Sequence, residues 1–181
     1  MVRCLPVLLL AACAMAPERL SPAGVELPAP FVAQDELYAC GLSAISALCA
    51  YHGVELPESR RKDLARVSRE SLGLSAGELR DELESLGFEV FLFQGTTGDG
   101  PTGLPHHLGA GRPVLVLLQE DGSSHYVLVT GHDPQDGRLV VLDSRRGRVV
   151  LKATAFERQW EPTQHLALLA VPVRGTYLAS P

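Results

Sequence analysis

The sequence predicts an α+β protein, with helices first and an antiparallel sheet second. Three observations carry that prediction. From Gly41 to Gly87 apolar residues recur at helical spacing, and after Phe88 short Val- and Leu-rich runs take over. Two of those runs flank Asp133-Pro134-Gln135-Asp136-Gly137, a turn sequence that folds its neighbours back as a hairpin.

Taken in order, the first helix runs from Gly41 to His52, where only Ser43, Ser46 and His52 are polar. A helix apolar nearly all round is a buried one, and Gly53 closes it. A surface helix follows over Glu58 to Glu70, with Pro57 at its start and Leu64 and Val67 on one face. Ser75-Ala76-Gly77-Glu78 has the capping-box pattern, with Leu79, Leu83 and Leu86 behind it and Gly87 at the end. Strands are expected at Phe88–Phe93, Pro113–Gln119, Ser124–Gly131, Arg138–Asp143, Arg148–Lys152 and His165–Val171. Gly95 to Leu108, with four glycines and two prolines, reads as a long loop, and loops of that length are often functional.

The N-terminus reads as an export signal. Arg3 precedes an apolar run from Leu5 to Ala12, far short of the ~20 residues of a spanning helix. Leu10-Ala11-Ala12-Cys13 resembles a bacterial lipobox, which implies residues 1–12 as signal peptide and Cys13 as a lipidated first residue. Secretion with cleavage after Ala14-Met15-Ala16 is the alternative. Ala14 is not an aspartate, which in such lipoproteins favours the outer membrane, facing the periplasm. Residues 13–30, with Pro17, Pro22, Pro28 and Pro30, read as a tether with no core of its own. The domain is expected over 31–175, with 176–181 as a tail.

The 181 residues fit one domain, and 46% hydrophobic with 20% charged is ordinary globular composition. A formal charge of −5 without a basic, aromatic-interleaved patch argues against nucleic acid as a partner. With Cys4 in the signal and Cys13 lipidated, Cys40 and Cys49 remain. On one helix they stand about 13 Å apart at 1.5 Å per residue, too far for a disulfide. An unpaired thiol in an exported domain invites a functional explanation. Cys49 is explained as a small buried hydrophobe; Cys40, at a helix start, is the candidate nucleophile.

A thiol at a helix N-terminus is pushed toward thiolate, and a nearby imidazolium pushes it further. The sequence supplies His125 at the start of one hairpin strand and Asp143 at the end of its partner. A residue near 125 should pair with one near 143 or 144, within about one register step. Which face each takes is open, because a slip of one residue reverses it. Gln34, six residues before Cys40, is the candidate side-chain donor to an oxyanion.

Gln34-x5-Cys40-Gly41 opening a buried helix, then His125-Tyr126-Val127-Leu128-Val129, then a strand ending in Asp143, resembles the papain-like fold. Within it the pattern is most similar to the C39 peptidases, which process bacteriocin and double-glycine leaders. The resemblance spans roughly 31–171. It includes Gly111-Arg112-Pro113-Val114 and a late helix with Phe156 and Trp160, a core-facing pair. It implies a cysteine peptidase of thiol-protease type with Cys40 as nucleophile, His125 as general base and acid, and Asp143 orienting the imidazole. Gln34 and the Cys40 backbone N–H would then bind the oxyanion, and no cofactor is required. The family commonly has Asp-Pro where this chain has Asp143-Ser144. Its familiar members are fused to peptide exporters, whereas this chain has an export signal of its own. The expected substrate is therefore an envelope peptide or protein.

Two further readings share the fold: a thiol acyltransferase, and a non-catalytic peptide-binding lipoprotein. A metal site from His106, His107, His125 and His132 is disfavoured, because adjacent histidines rarely ligate one ion and no HExxH or CxxC spacing occurs.

Overall fold

The computed structural model describes residues 18–173. The expected signal peptide, the Cys13 lipidation site and the 176–181 tail lie outside them.

Three helices come first: α1 (Cys40–Tyr51), α2 (Glu58–Glu70) and α3 (Ala76–Ser85). The α3 capping box is present, with Ser75 Oγ accepting from the Glu78 backbone and Glu78 accepting from the Ser75 N–H. A short strand, β1 (Val25–Glu26), precedes them. After α3 come β2 (Phe88–Gln94), α4 (Leu104–Gly109), β3 (Val114–Glu120), β4 (Ser123–Asp133), β5 (Arg138–Asp143), β6 (Gly147–Lys152), α5 (Ala153–Trp160) and β7 (Leu166–Pro172). The sheet runs β2-β7-β3-β4-β5-β6 with every pairing antiparallel, and β1 adds to β4.

Alternation along the strands divides the core between two faces. Leu115, Tyr126, Leu128 and Leu168 pack with α1 and α3 residues, including Ile45, Leu48, Leu79 and Leu83. Val114, Val116, Val127, Val129 and Val141 pack on the other face with Leu104 and Leu108 of α4 and Phe156 and Trp160 of α5. The α+β expectation holds, with α1 buried over Cys40 to Cys49 as its composition requires.

Two expectations change. The stretch Gly95 to Leu108 is not loop throughout. Leu104 and Leu108, four apart, are fully buried and turn its second half into α4. The first half is compact: a Cβ on Gly95 would come within 2.6 Å of the Trp160 ring, so only glycine fits there. The Pro-rich stretch, expected as a tether, is docked on the sheet from residue 18. Ser21 donates to both oxygens of buried Asp133, Glu18 pairs with Arg138, and Glu26 pairs with Arg148. The proline-free run Val25–Leu27 supplies the backbone groups that pair with β4, Leu27 N–H reaching the Thr130 carbonyl at 2.8 Å.

That contact lies at a β-bulge. The β4–β5 ladder starts in one register, Asp133 opposite Arg138 and Gly131 opposite Val140. Beyond Thr130 it slips by one, to Val129 opposite Val141 and Leu128 opposite Leu142. Without the slip, the ladder would continue with Asp143 opposite Leu128, facing away from His125. With it, Asp143 falls opposite Val127, on the face His125 shares. The expected one-step match of 125 with 143 or 144 is thus replaced by a diagonal one.

Candidate active site

Cys40 is the first residue of α1 and is 8% exposed. No side chain caps this helix and no acid stands in its first turn, so its free N–H groups and positive dipole end face the thiol. Burial raises the thiol pKa. Hydrogen bonding to His125, the backbone N–H of Tyr126, the His125 charge and the Gly41 N–H together outweigh burial and hold it below its ordinary value. Cys49 has no such company. Burial, with Glu82 nearby, pushes it up to about 12.

His125 is fully buried on β4. Its Nε2 lies 2.9 Å from Asp143 Oδ1. A carboxylate only accepts, so Nε2 carries the proton and donates. Its Nδ1 is buried without a hydrogen-bond partner and is the ring nitrogen free to serve Cys40, with which the imidazole is electrostatically coupled. Burial lowers the imidazole pKa, but hydrogen bonds to Asp143 and Cys40 and their charges raise it more, to about 9. Asp143 is raised by burial and lowered more strongly by His125, the Arg145 N–H and Arg146, ending far below the carboxylate range. Arg146 bridges Asp143 to Glu120. Cys40 is therefore coupled electrostatically to His125, and His125 is hydrogen-bonded to Asp143.

Gln34 reaches the same place by another route. Its backbone N–H donates to the Ser144 carbonyl at 3.1 Å, and Ser144 Oγ donates to its Oε1 at 2.7 Å. Its side-chain Nε2 donates to the carbonyls of Glu36 at 2.9 Å and Leu37 at 3.2 Å. These carbonyls belong to the segment that leads into Cys40. As the structure stands, the amide organises that segment, and donation to an oxyanion requires an N–H to turn from a carbonyl toward the substrate.

Cys40 opens into a 710 Å³ cleft. One wall carries Leu37 and Tyr38, a second the α2–α3 connection from Ser71 to Glu78, and the floor Leu117, Tyr126 and Leu166. No residue of Gly95 to Leu108 lines it, so the functional role that its length suggested is not found at this cleft. Leu72 holds a left-handed conformation at φ 57° and stands 67% exposed on the rim, an apolar side chain held outward at a conformational cost. Nothing in the sequence placed this connection beside Cys40. Its capping box, Ser75 with Glu78, marked only where α3 began. Ser144 and Arg146 carry no signal of their own in the sequence; their roles depend on contacts with Gln34 and Glu120, far away in sequence.

Of the histidines considered for a metal, His125 is engaged by Asp143, and His106, His107 and His132 do not gather with it among the described residues. Glu120, His125 and Asp143 do bring ligand atoms within 4.8 Å of one another. Both carboxylates there are already paired with Arg146, which makes this a salt-bridged support for the histidine. No helix among the described residues is long and apolar enough to cross a membrane.

Residues 29–172 match the sequence model of the peptidase C39 family. The chain belongs to that family. No curated protein matches it in sequence. Among solved structures it is similar to a C39-like peptidase from Bacillus anthracis at 15% identity and TM-score 0.65, covering 83% of this chain and 98% of that one. It is similar to a double glycine motif protease from an AMS/PCAT transporter, solved with the leader peptide, at 16% identity and TM-score 0.62, covering 82% and 95%. The peptidase domain of Streptococcus ComA, a bi-functional ABC transporter of a quorum-sensing pathway, gives 16% and 0.59, covering 79% and 98%. At these identities the likeness is one of fold, and the fold is the papain-like one of C39 peptidases. Residues 18–28, with β1, precede the C39 match and are docked beside it.

Proposed function

We propose that this C39 family member is a thiol peptidase of the cell envelope. The observation that carries the reading is the chain Cys40–His125–Asp143, whose Cys40 end lines an open cleft while the other two are buried behind it. Cys40 Sγ attacks a peptide carbonyl, forming the C–S bond and an oxyanion. The Cys40 backbone N–H and the Gln34 amide receive that charge. His125 Nδ1–H protonates the leaving amine as the C–N bond breaks. Water then gives its proton to His125 and attacks the thioester; the C–S bond breaks and the acid product leaves. Asp143 holds the imidazole and its proton at Nε2 throughout. Each step balances without a cofactor.

The cleft favours apolar peptide side chains beside Leu37, Tyr38, Leu72 and Leu166. Two charged residues line it. Glu78 is satisfied by Ser75, whereas the Arg145 guanidinium has no partner among the described residues. An acidic residue near the scissile bond therefore fits better than a basic one. Lipidation at Cys13, anchoring in the outer membrane and a peptide or protein substrate in the periplasm complete the reading; they rest on the lipobox resemblance.

The test is cleavage of a peptide library by the full chain, followed by mass spectrometry, with Cys40→Ala as control. Hydrolysis products from the wild type alone, enriched in acidic peptides and losing that enrichment in Arg145→Gln, support the reading. With glycinamide added, amide products in place of acids assign acyl transfer instead. Cleavage by neither protein returns the chain to a peptide-binding role.

A further inference from the structure

The Gln34 amide must keep one orientation to serve an oxyanion, because its two ends have opposite chemistry. A free primary amide flips and presents its oxygen as readily as its nitrogen. We infer that Ser144 is the positioning residue that prevents this, tying the oxyanion donor to the strand end that carries Asp143. The inference rests on the peptidase reading.

Three contacts support it. Ser144 Oγ donates to Gln34 Oε1 at 2.7 Å, so the oxygen is claimed and the NH2 must point the other way. The Ser144 carbonyl accepts the Gln34 backbone N–H at 3.1 Å, fixing both ends of one residue against one partner. The carbonyls of Glu36 and Leu37 accept only from a donor, which sets the amide in the same sense from the other side. Ser144 is itself buried, at 8% exposure. With the oxygen pinned, donation to a developing oxyanion needs only the NH2 to leave the Leu37 carbonyl, the longer of its two bonds at 3.2 Å. A proline, common in the family at this position, has no hydroxyl to do this. The serine therefore gives this chain a link between Gln34 and Asp143 through adjacent residues.

The experiment measures kcat and KM on the best-cleaved library peptide for Gln34→Ala, Ser144→Ala, the double variant and Ser144→Thr. Cys40 alkylation is followed against pH in each. The expected result is a kcat loss of about 10²-fold for Gln34→Ala and about 10-fold for Ser144→Ala, with KM little changed. The double variant should be no slower than Gln34→Ala, and Ser144→Thr should keep most of the rate. The alkylation profile should not move, because it reports on His125 and Asp143. Losses that multiply in the double variant overturn the inference. So does a shifted alkylation profile in Ser144→Ala, since that change acts through Asp143. An unimpaired Ser144→Ala beside an impaired Gln34→Ala overturns it alone. An unimpaired Gln34→Ala removes the oxyanion role of Gln34 and the inference together, and an active Cys40→Ala sinks the peptidase reading.

Discussion

His125 and Asp143 meet at 2.9 Å because strand β4 bulges at Thr130 between them and the hairpin turn. A regular hairpin would have placed them on opposite faces. The bulge is held from outside the hairpin by Leu27, whose N–H takes the Thr130 carbonyl. The N-terminal segment and the register of the site are therefore one structural problem.

Gly131 tests that connection. A Cβ there would stand 2.5 Å from the Val25 carbonyl oxygen, so Gly131→Ala should push β1 off β4. The expected cost is about 1–3 kcal/mol of stability, the usual scale for overpacking. Thermal unfolding reads the loss. Faster proteolysis before residue 30 reads the undocking, and unchanged values for both would show that β1 is not needed.

The pH dependence of kcat/KM follows from the two shifted groups. Activity needs the thiolate, so it should rise through a pKa below the ordinary thiol value of 9.0. It also needs the protonated imidazole, so it should fall through about 9. His125→Ala should remove the alkaline limb and lower the rate by about 10²–10⁴-fold. A profile that keeps rising past pH 10 in the wild type would contradict the assignment of His125.

Stability follows His125 and Asp143, with opposite signs. The His125 pKa is raised, so its contribution is complete below 6.5 and is lost as pH rises through about 9. The Asp143 pKa is lowered, so its contribution is present above 3.8 and is lost as pH falls well below that. Urea unfolding of wild type and Asp143→Ala should differ most between these limits. Breaking this buried pair is expected to cost about 3–5 kcal/mol there.

Cys49 should be inert. Its thiol lies 1% exposed in the core, with its pKa pushed up to about 12. Cys49→Ala is expected to leave kcat/KM within about twofold, since a change this far from the reacting atoms touches neither thiolate nor oxyanion. Mass mapping after alkylation at neutral pH should find the label on Cys40 and none on Cys49.

Much of this was legible in the sequence. The change of period at Phe88 gave the two-part fold, the all-apolar run gave the buried α1, and Ser75 with Glu78 gave a cap that the structure repeats. Cys40, His125 and Asp143 were found by type and order, and the fold brings them together. What stayed hidden depends on contacts across long sequence distances. Thr130 has no signature of a bulge, and the face of Asp143 could not be settled without it. Val25 and Leu27 sit among prolines, which masked a short strand. Ser144 looked like a departure from the family pattern until Gln34, 110 residues earlier, was seen to be its partner.

The central claim is that Cys40 is a thiolate activated by His125. It is tested most directly by the rate of Cys40 alkylation with iodoacetamide from pH 4 to 10, in the wild type and in His125→Ala. The account predicts a reactive plateau reached below the ordinary thiol range in the wild type, and its loss in His125→Ala. One titration at the ordinary thiol value, the same in both proteins, would contradict it.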